Sequence, residues 1–195
     1  KKPYIGVAAW VWIALTGPTE WAFGFSQTFR LNLSIVLVTA LAYLFNRNKY
    51  KLNYSSIHFW VLLFWFWTLI ATIFHDQINP DYLWIKMNEF TKVIVLYLFI
   101  ILNVRKKHEL DTLIWAIVLS VSAYGAMEAV KFFISGGGHR ITGKVGILRD
   151  RNDLAVAINM CIPLIIYLLS QTKHKYLKFG LIGILALNVV AIVGT

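Results

Sequence analysis

His139, Arg140, Lys144, Arg149 and Arg151 crowd into the stretch from Ser135 to Arg151, against one acid, Asp150. Gly136, Gly137, Gly138, Gly143 and Gly146 are interleaved with them. Glycine lets a backbone approach a ligand, and a guanidinium matches phosphate oxygens in bidentate fashion. The chemistry these residue types suit is the cradling of a phosphate or diphosphate. The stretch is not a nucleotide P-loop, because neither a strand nor the GxxxxGK[ST] spacing accompanies it.

Other charged residues offer weaker candidates. Lys86, Glu89 and Lys92 recur every third residue and share one helical face. They read either as a self-paired interfacial stripe with snorkelling stems or as a second cationic contact for phosphate. Glu128 lies inside an apolar stretch with Lys131 three residues on. A carboxylate within a membrane segment is a functional hypothesis by default, but the adjacent lysine makes structural pairing the preferred reading over a proton relay. His58, His75, His108 and His174 fall at segment ends, without a catalytic Ser/Asp arrangement, and read as solvated interfacial residues. Asn152-Asp153 reads as a helix N-cap. Cys161 is the single cysteine, so there is no internal disulfide and no Cys/His zinc spacing. The sequence shows no acidic metal cluster.

The elements that position these residues are apolar and long. The chain is 58% hydrophobic with a mean hydropathy of +0.65 and only 14% charged residues, where a soluble domain carries roughly 25%. Apolar segments are expected at Tyr4 to Leu15, Phe29 to Phe45, Ile57 to Phe74, Trp84 to Val104, Asp111 to Ile134, Asn152 to Leu169 and Leu177 to Val193. Several approach the ~20 residues that span a bilayer core. They are too long and uniform for barrel strands. The expected fold is therefore all-α, a polytopic transmembrane bundle of about seven segments in one multi-spanning region. Asn79-Pro80 and Gly136-Gly137-Gly138 mark loops. Trp21, Tyr82 and Trp84 fall near one set of segment boundaries, where aromatic rings favour the headgroup level.

The net charge of +10 invites a nucleic-acid reading, but the positions argue against one. Arg47, Lys49 and Lys51, then Arg105, Lys106 and Lys107, then Lys173, Lys175 and Lys178 occupy alternate loops. Cytoplasmic loops retain Lys and Arg, so these loops and Lys1-Lys2 are assigned inside. The loops with Glu20, and with Asp76, Asp81 and Glu89, fall outside. Ser135–Arg151 also falls outside by parity and is nonetheless basic. A translocated loop tolerates some cations once its flanking helices set orientation; the functional reading is an anion cradle at the outer face. The partner expected from composition and charge is the bilayer of an inner membrane, with no nucleic acid.

Specific runs carry a family resemblance. Tyr4-Ile5-Gly6-Val7, Trp10-Val11-Trp12, Gly17-Pro18 and Trp21-Ala22-Phe23-Gly24-Phe25 open the chain. Trp115 to Ser120, Tyr124-Gly125, Gly136 to Gly143 and Asp150-Arg151-Asn152-Asp153-Leu154-Ala155 follow. In order and spacing this resembles the O-glycosylation ligases associated with exosortase A, within the O-antigen ligase and polymerase superfamily. The chain departs from that pattern at Gly143-Lys144-Val145-Gly146, where prolines are usual, and at Arg151, where asparagine is usual. The resemblance implies an enzyme that moves a glycan from a lipid-linked pyrophosphate donor to an acceptor at the periplasmic face, with no nucleotide sugar, metal or other cofactor. It implies that this chain is part of a longer protein, with the catalytic histidine and arginine beyond Thr195 and a further helix before Lys1. Arg140, Lys144, Arg149 and Arg151 are the candidate donor-binding residues, with Lys86 and Lys92 secondary. A glycan polymerase is chemically close, and a transporter or flippase for an anionic lipid or solute is the reading of a different class.

Overall fold

The computed structural model describes residues 2–45, 55–75, 79–141, 148 and 150–195. The described residues form helices α1 (Pro3–Thr16), α2 (Pro18–Trp21), α3 (Phe25–Thr28), α4 (Leu31–Leu44), α5 (Ser56–Phe74), α6 (Pro80–Asn103), α7 (Lys107–Ile134), α8 (Arg151–Gln171) and α9 (Lys175–Gly194), with no strand among them. The all-helical expectation holds. Four helices, α5, α7, α8 and α9, are long and apolar enough to cross a membrane. The α1 and α4 helices are apolar but have 14 residues each, about 21 Å at 1.5 Å per residue, against a hydrocarbon core of about 30 Å.

Local signals explain most boundaries. Gly17 adopts φ 50° and its N–H bonds the Ile13 carbonyl at 2.9 Å, ending α1 before Pro18. Asn79-Pro80 begins a helix instead of forming a loop: the Asn79 side chain accepts from the Tyr82 N–H and Pro80 occupies the first turn. Proline's missing N–H costs nothing there, because first-turn N–H groups have no intrahelical partner. The α7 helix begins four residues before the expected Asp111, because the buried Glu109 carboxylate accepts from the backbone N–H groups of Arg105 and Lys106 at 2.8 and 2.9 Å. Asp150, not Asn152-Asp153, caps α8, its side chain accepting from the Arg151 N–H at 2.8 Å.

The packing is centred on α7, which touches α1, α8 and α9. Val118, Val121, Tyr124 and Ala129 of α7 meet Leu154, Ile158, Cys161, Ile165 and Leu168 of α8 and Leu181 and Ala191 of α9. A side chain at Gly125 would meet Asn188 Oδ1 at 2.7 Å and Ile158 Cδ1 at 2.9 Å, so the absent Cβ allows close helix approach. The α5 helix touches α6 alone to any extent and leaves Trp60, Phe64 and Trp67 more than 60% exposed. An apolar face of that size is not compatible with water, while lipid covers it at no cost. The chain is a helical membrane protein.

Contacts define two ends. The rings of Tyr4 and His108 meet at 5.6 Å, so α1 and α7 start together. Lys107 Nζ bonds Gln171 Oε1 at 2.7 Å and the Tyr167 hydroxyl bonds Asp111 at 2.7 Å, so α8 ends where α7 starts. At the opposite end Trp21 meets Tyr124, and the Arg151 guanidinium reaches the Thr195 carbonyl at 3.4 Å. Within the other pair, His58 bonds Tyr97 at 2.6 Å and Trp65 bonds Thr91 at 3.1 Å, which makes α5 and α6 antiparallel. His58 is thus not a solvated interfacial residue; its partner sits on another helix and cannot be read from local sequence.

Candidate functional site

The site is built at the end of α7. Gly136 and Gly137 take φ values of 62° and 86°, the left-handed region open to glycine. The Gly137 N–H bonds the Phe132 carbonyl at 2.9 Å and the Gly136 N–H bonds the Phe133 carbonyl at 3.0 Å. That pair of bonds is a Schellman stop, which satisfies helix-end carbonyls and reverses the chain. These glycines therefore end a helix.

The reversed chain is fastened. The His139 N–H donates to Ser135 Oγ at 2.7 Å, and His139 Nε2 lies 2.8 Å from Glu128 Oε2. Glu128 is 1% exposed and its other oxygen accepts from Lys131 Nζ at 2.6 Å. The structural pairing of Glu128 with Lys131 is present, and His139 joins it. A buried carboxylate without partners is strongly disfavoured, and here both oxygens are occupied. The sequence signal that could have found His139 is the glycine run between it and Glu128, since a helix followed by a glycine stop returns the next residues to the last turns.

Beyond His139, Ile141 is fully buried against α9, within contact of the Gly194 backbone. Leu148 is also buried and lines a cavity of about 280 Å³ with Trp12, Leu15, Trp21, Tyr124 and Met127. Two apolar side chains of the basic stretch, Ile141 and Leu148, are thus buried. Lys144 and Arg149 lie outside the described residues.

The remaining candidates separate. Arg140 is exposed and makes no hydrogen bond or ion pair among the described residues. Arg151 opens α8 and turns toward the Thr195 carbonyl. Lys86 is paired with Glu89 at 2.9 Å, both side chains more than half exposed, as the interfacial-stripe reading requires. Lys86 also lies within electrostatic reach of Asp153 on α8, which places the start of α6 near the same end. Lys92 is exposed and falls twelve residues down α6 from Pro80, roughly 18 Å along the helix. It is not part of the outer cluster. The apolar part of α6 begins only at Val93.

The charges differ between the two ends. At the start of α7 stand Arg105, Lys106, Lys107, Lys173 and Lys175, with Glu109 and Asp111 engaged in hydrogen bonds. At the far end several cations have an acid nearby in the chain: Lys86 with Glu89, Lys131 with Glu128, Arg151 with Asp150 and Asp153. Arg140 stands apart from this balance. No group of metal-ligating side chains occurs among the described residues.

Over residues 1–174 the sequence matches the model of a family described as a family of unknown function, DUF5935, and the chain belongs to that family. No curated protein and no solved structure matches it.

Proposed function

We propose that this DUF5935 chain is the membrane-embedded donor-binding part of a ligase-type glycosyltransferase, which takes a glycan from a lipid-linked pyrophosphate at the periplasmic face of a bacterial inner membrane. The observation that carries the reading is the burial of Ile141 and Leu148, next in sequence to Arg140 and Arg149, with Leu148 walling a largely apolar cavity. A largely apolar cavity whose wall is next in sequence to cations suits a molecule with a diphosphate head and an apolar tail. The departing diphosphate needs its developing charge stabilised, and Arg140, Lys144 and Arg149 are the cations available in this stretch. The resemblance to O-antigen ligases and polymerases points the same way and does not separate ligase from polymerase.

In this reading all seven of α1 and α4 to α9 cross the membrane, with the Arg105 and Lys173 end inside. The basic residues at the inner end support that orientation. A transporter reading is less favoured: it calls for charged groups near the midplane between broken helices, whereas Glu128 is neutralised within two turns of the end of α7.

The test is transfer from a lipid-linked donor by the full-length protein. Arg140→Ala is expected to lower donor use by on the order of ten- to a hundred-fold, the effect of losing a charge-assisted contact. Arg140→Lys recovers part of it, because an ammonium cannot make the bidentate pair. Lys106→Ala removes equal charge from the other end and leaves transfer unchanged. Equal transfer by Arg140→Ala and wild type, at matched expression, sinks the reading.

A further inference from the structure

We propose that Glu128 is a positioning residue of the outer anion site: by holding His139 it folds the chain back onto α7 and sets Arg140 at the surface where it meets a diphosphate. The proposal rests on the reading that this stretch binds an anion. A Schellman stop reverses a chain but does not choose its path afterwards. Here the path is chosen by the attachments of His139, through its N–H to Ser135 and its ring to Glu128. Arg140 is the next residue, exposed, and Ile141 is buried again. One fixed imidazole on one side and one buried isoleucine on the other leave Arg140 little freedom of placement.

The choice of a carboxylate is informative. Among the described residues, Lys131 and His139 are the charged or titratable groups that act on Glu128. A negative charge beside an anion site repels the anion. If Glu128 were a bystander, removing its charge would tighten anion binding. If it positions Arg140, removing the charge loosens the His139 attachment and weakens binding. The two roles predict opposite signs.

The experiment uses the chain in phosphatidylcholine nanodiscs, in a Cys161→Ala background. The first readout is the maleimide labelling rate of Gly138→Cys. The second is binding of farnesyl diphosphate, with inorganic pyrophosphate as a lipid-free comparison. Glu128→Gln and His139→Ala are each expected to raise the labelling rate and to weaken farnesyl diphosphate binding about ten-fold, as loss of groups that orient a binding residue does. The double variant is expected to be no worse than either, because both break one attachment. Arg140→Ala weakens binding and leaves labelling unchanged. Pyrophosphate bound as tightly as farnesyl diphosphate, with the same variant pattern, supports the positioning role and identifies a soluble anion as the ligand. Tighter or unchanged binding by Glu128→Gln, while Arg140→Ala weakens it, overturns the positioning role and leaves the anion site standing. Binding unaffected by Arg140→Ala overturns both. Should Glu128→Gln fail to fold, His139→Ala decides, since its ring is part-exposed and 29% accessible.

Discussion

Gly136 and Gly137 look alike in the sequence and differ from Gly138 only in structure, where Gly136 and Gly137 alone take positive φ. A side chain in that region costs roughly 1–2 kcal/mol. Gly136→Ala is therefore expected to destabilise the chain by about 1 kcal/mol, with Gly138→Ala as a near-neutral control, measured by thermal unfolding in detergent. A Gly136→Ala variant as stable as Gly138→Ala contradicts the assigned helix stop. At this scale Glu128 and Lys131 were legible because three residues on a helix is a contact distance. The His139 contact was not, because it closes through a turn whose direction depends on two dihedral signs.

Among the helices, α5 carries no charged residue and α7 carries five, Lys107, Glu109, Asp111, Glu128 and Lys131. Packing gives them opposite roles: α1, α8 and α9 surround α7, while α5 shows its rings outward. Glycines give the test. Gly125 is crowded by Asn188 and Ile158, whereas a Cβ on Gly180 or Gly183 of α9 meets nothing within 4 Å. Gly125→Leu is expected to cost about 1–3 kcal/mol through overpacking. Gly180→Ala is expected to be neutral or stabilising by up to about 1 kcal/mol, since alanine is the better helix former. Unfolding in mixed micelles by sodium dodecyl sulfate orders the variants. Equal sensitivity at the two glycines contradicts the three-helix core. Helix starts were partly legible: Gly17-Pro18 stops α1 as its residue types require, but Asn79-Pro80 serves a loop or a helix start equally well until the first turn after it is known.

Across the whole molecule, the pairings of helix ends bring the starts of α1 and α7 to the same end as the finish of α8. With the Arg105 and Lys173 end inside, Gly138→Cys is expected to react with an impermeant maleimide added to intact cells, in a Cys161→Ala background. His174→Cys is expected to react only after the membrane is opened. The reverse pattern inverts the orientation and removes the periplasmic site. The run of cations at the near end, Arg105 to Lys107 and Lys173 to Lys178, gives this topology its physical basis, and the basic stretch from His139 to Arg151 runs against it.

Residue types in order were enough to determine an all-helical membrane chain, since uniform apolar runs in lipid must satisfy their backbone internally. They also marked the basic stretch from His139 to Arg151 as the place where charge and topology disagree. Tertiary structure alone decided where those residues go. It gave Glu128 a second partner in His139 and turned Arg151 toward Thr195. The physical reason is range. Hydropathy and helix propensity act over a few residues and survive in any fold, whereas a buried ion pair depends on where a reversed chain returns, which is fixed by backbone sign and by packing against helices remote in sequence.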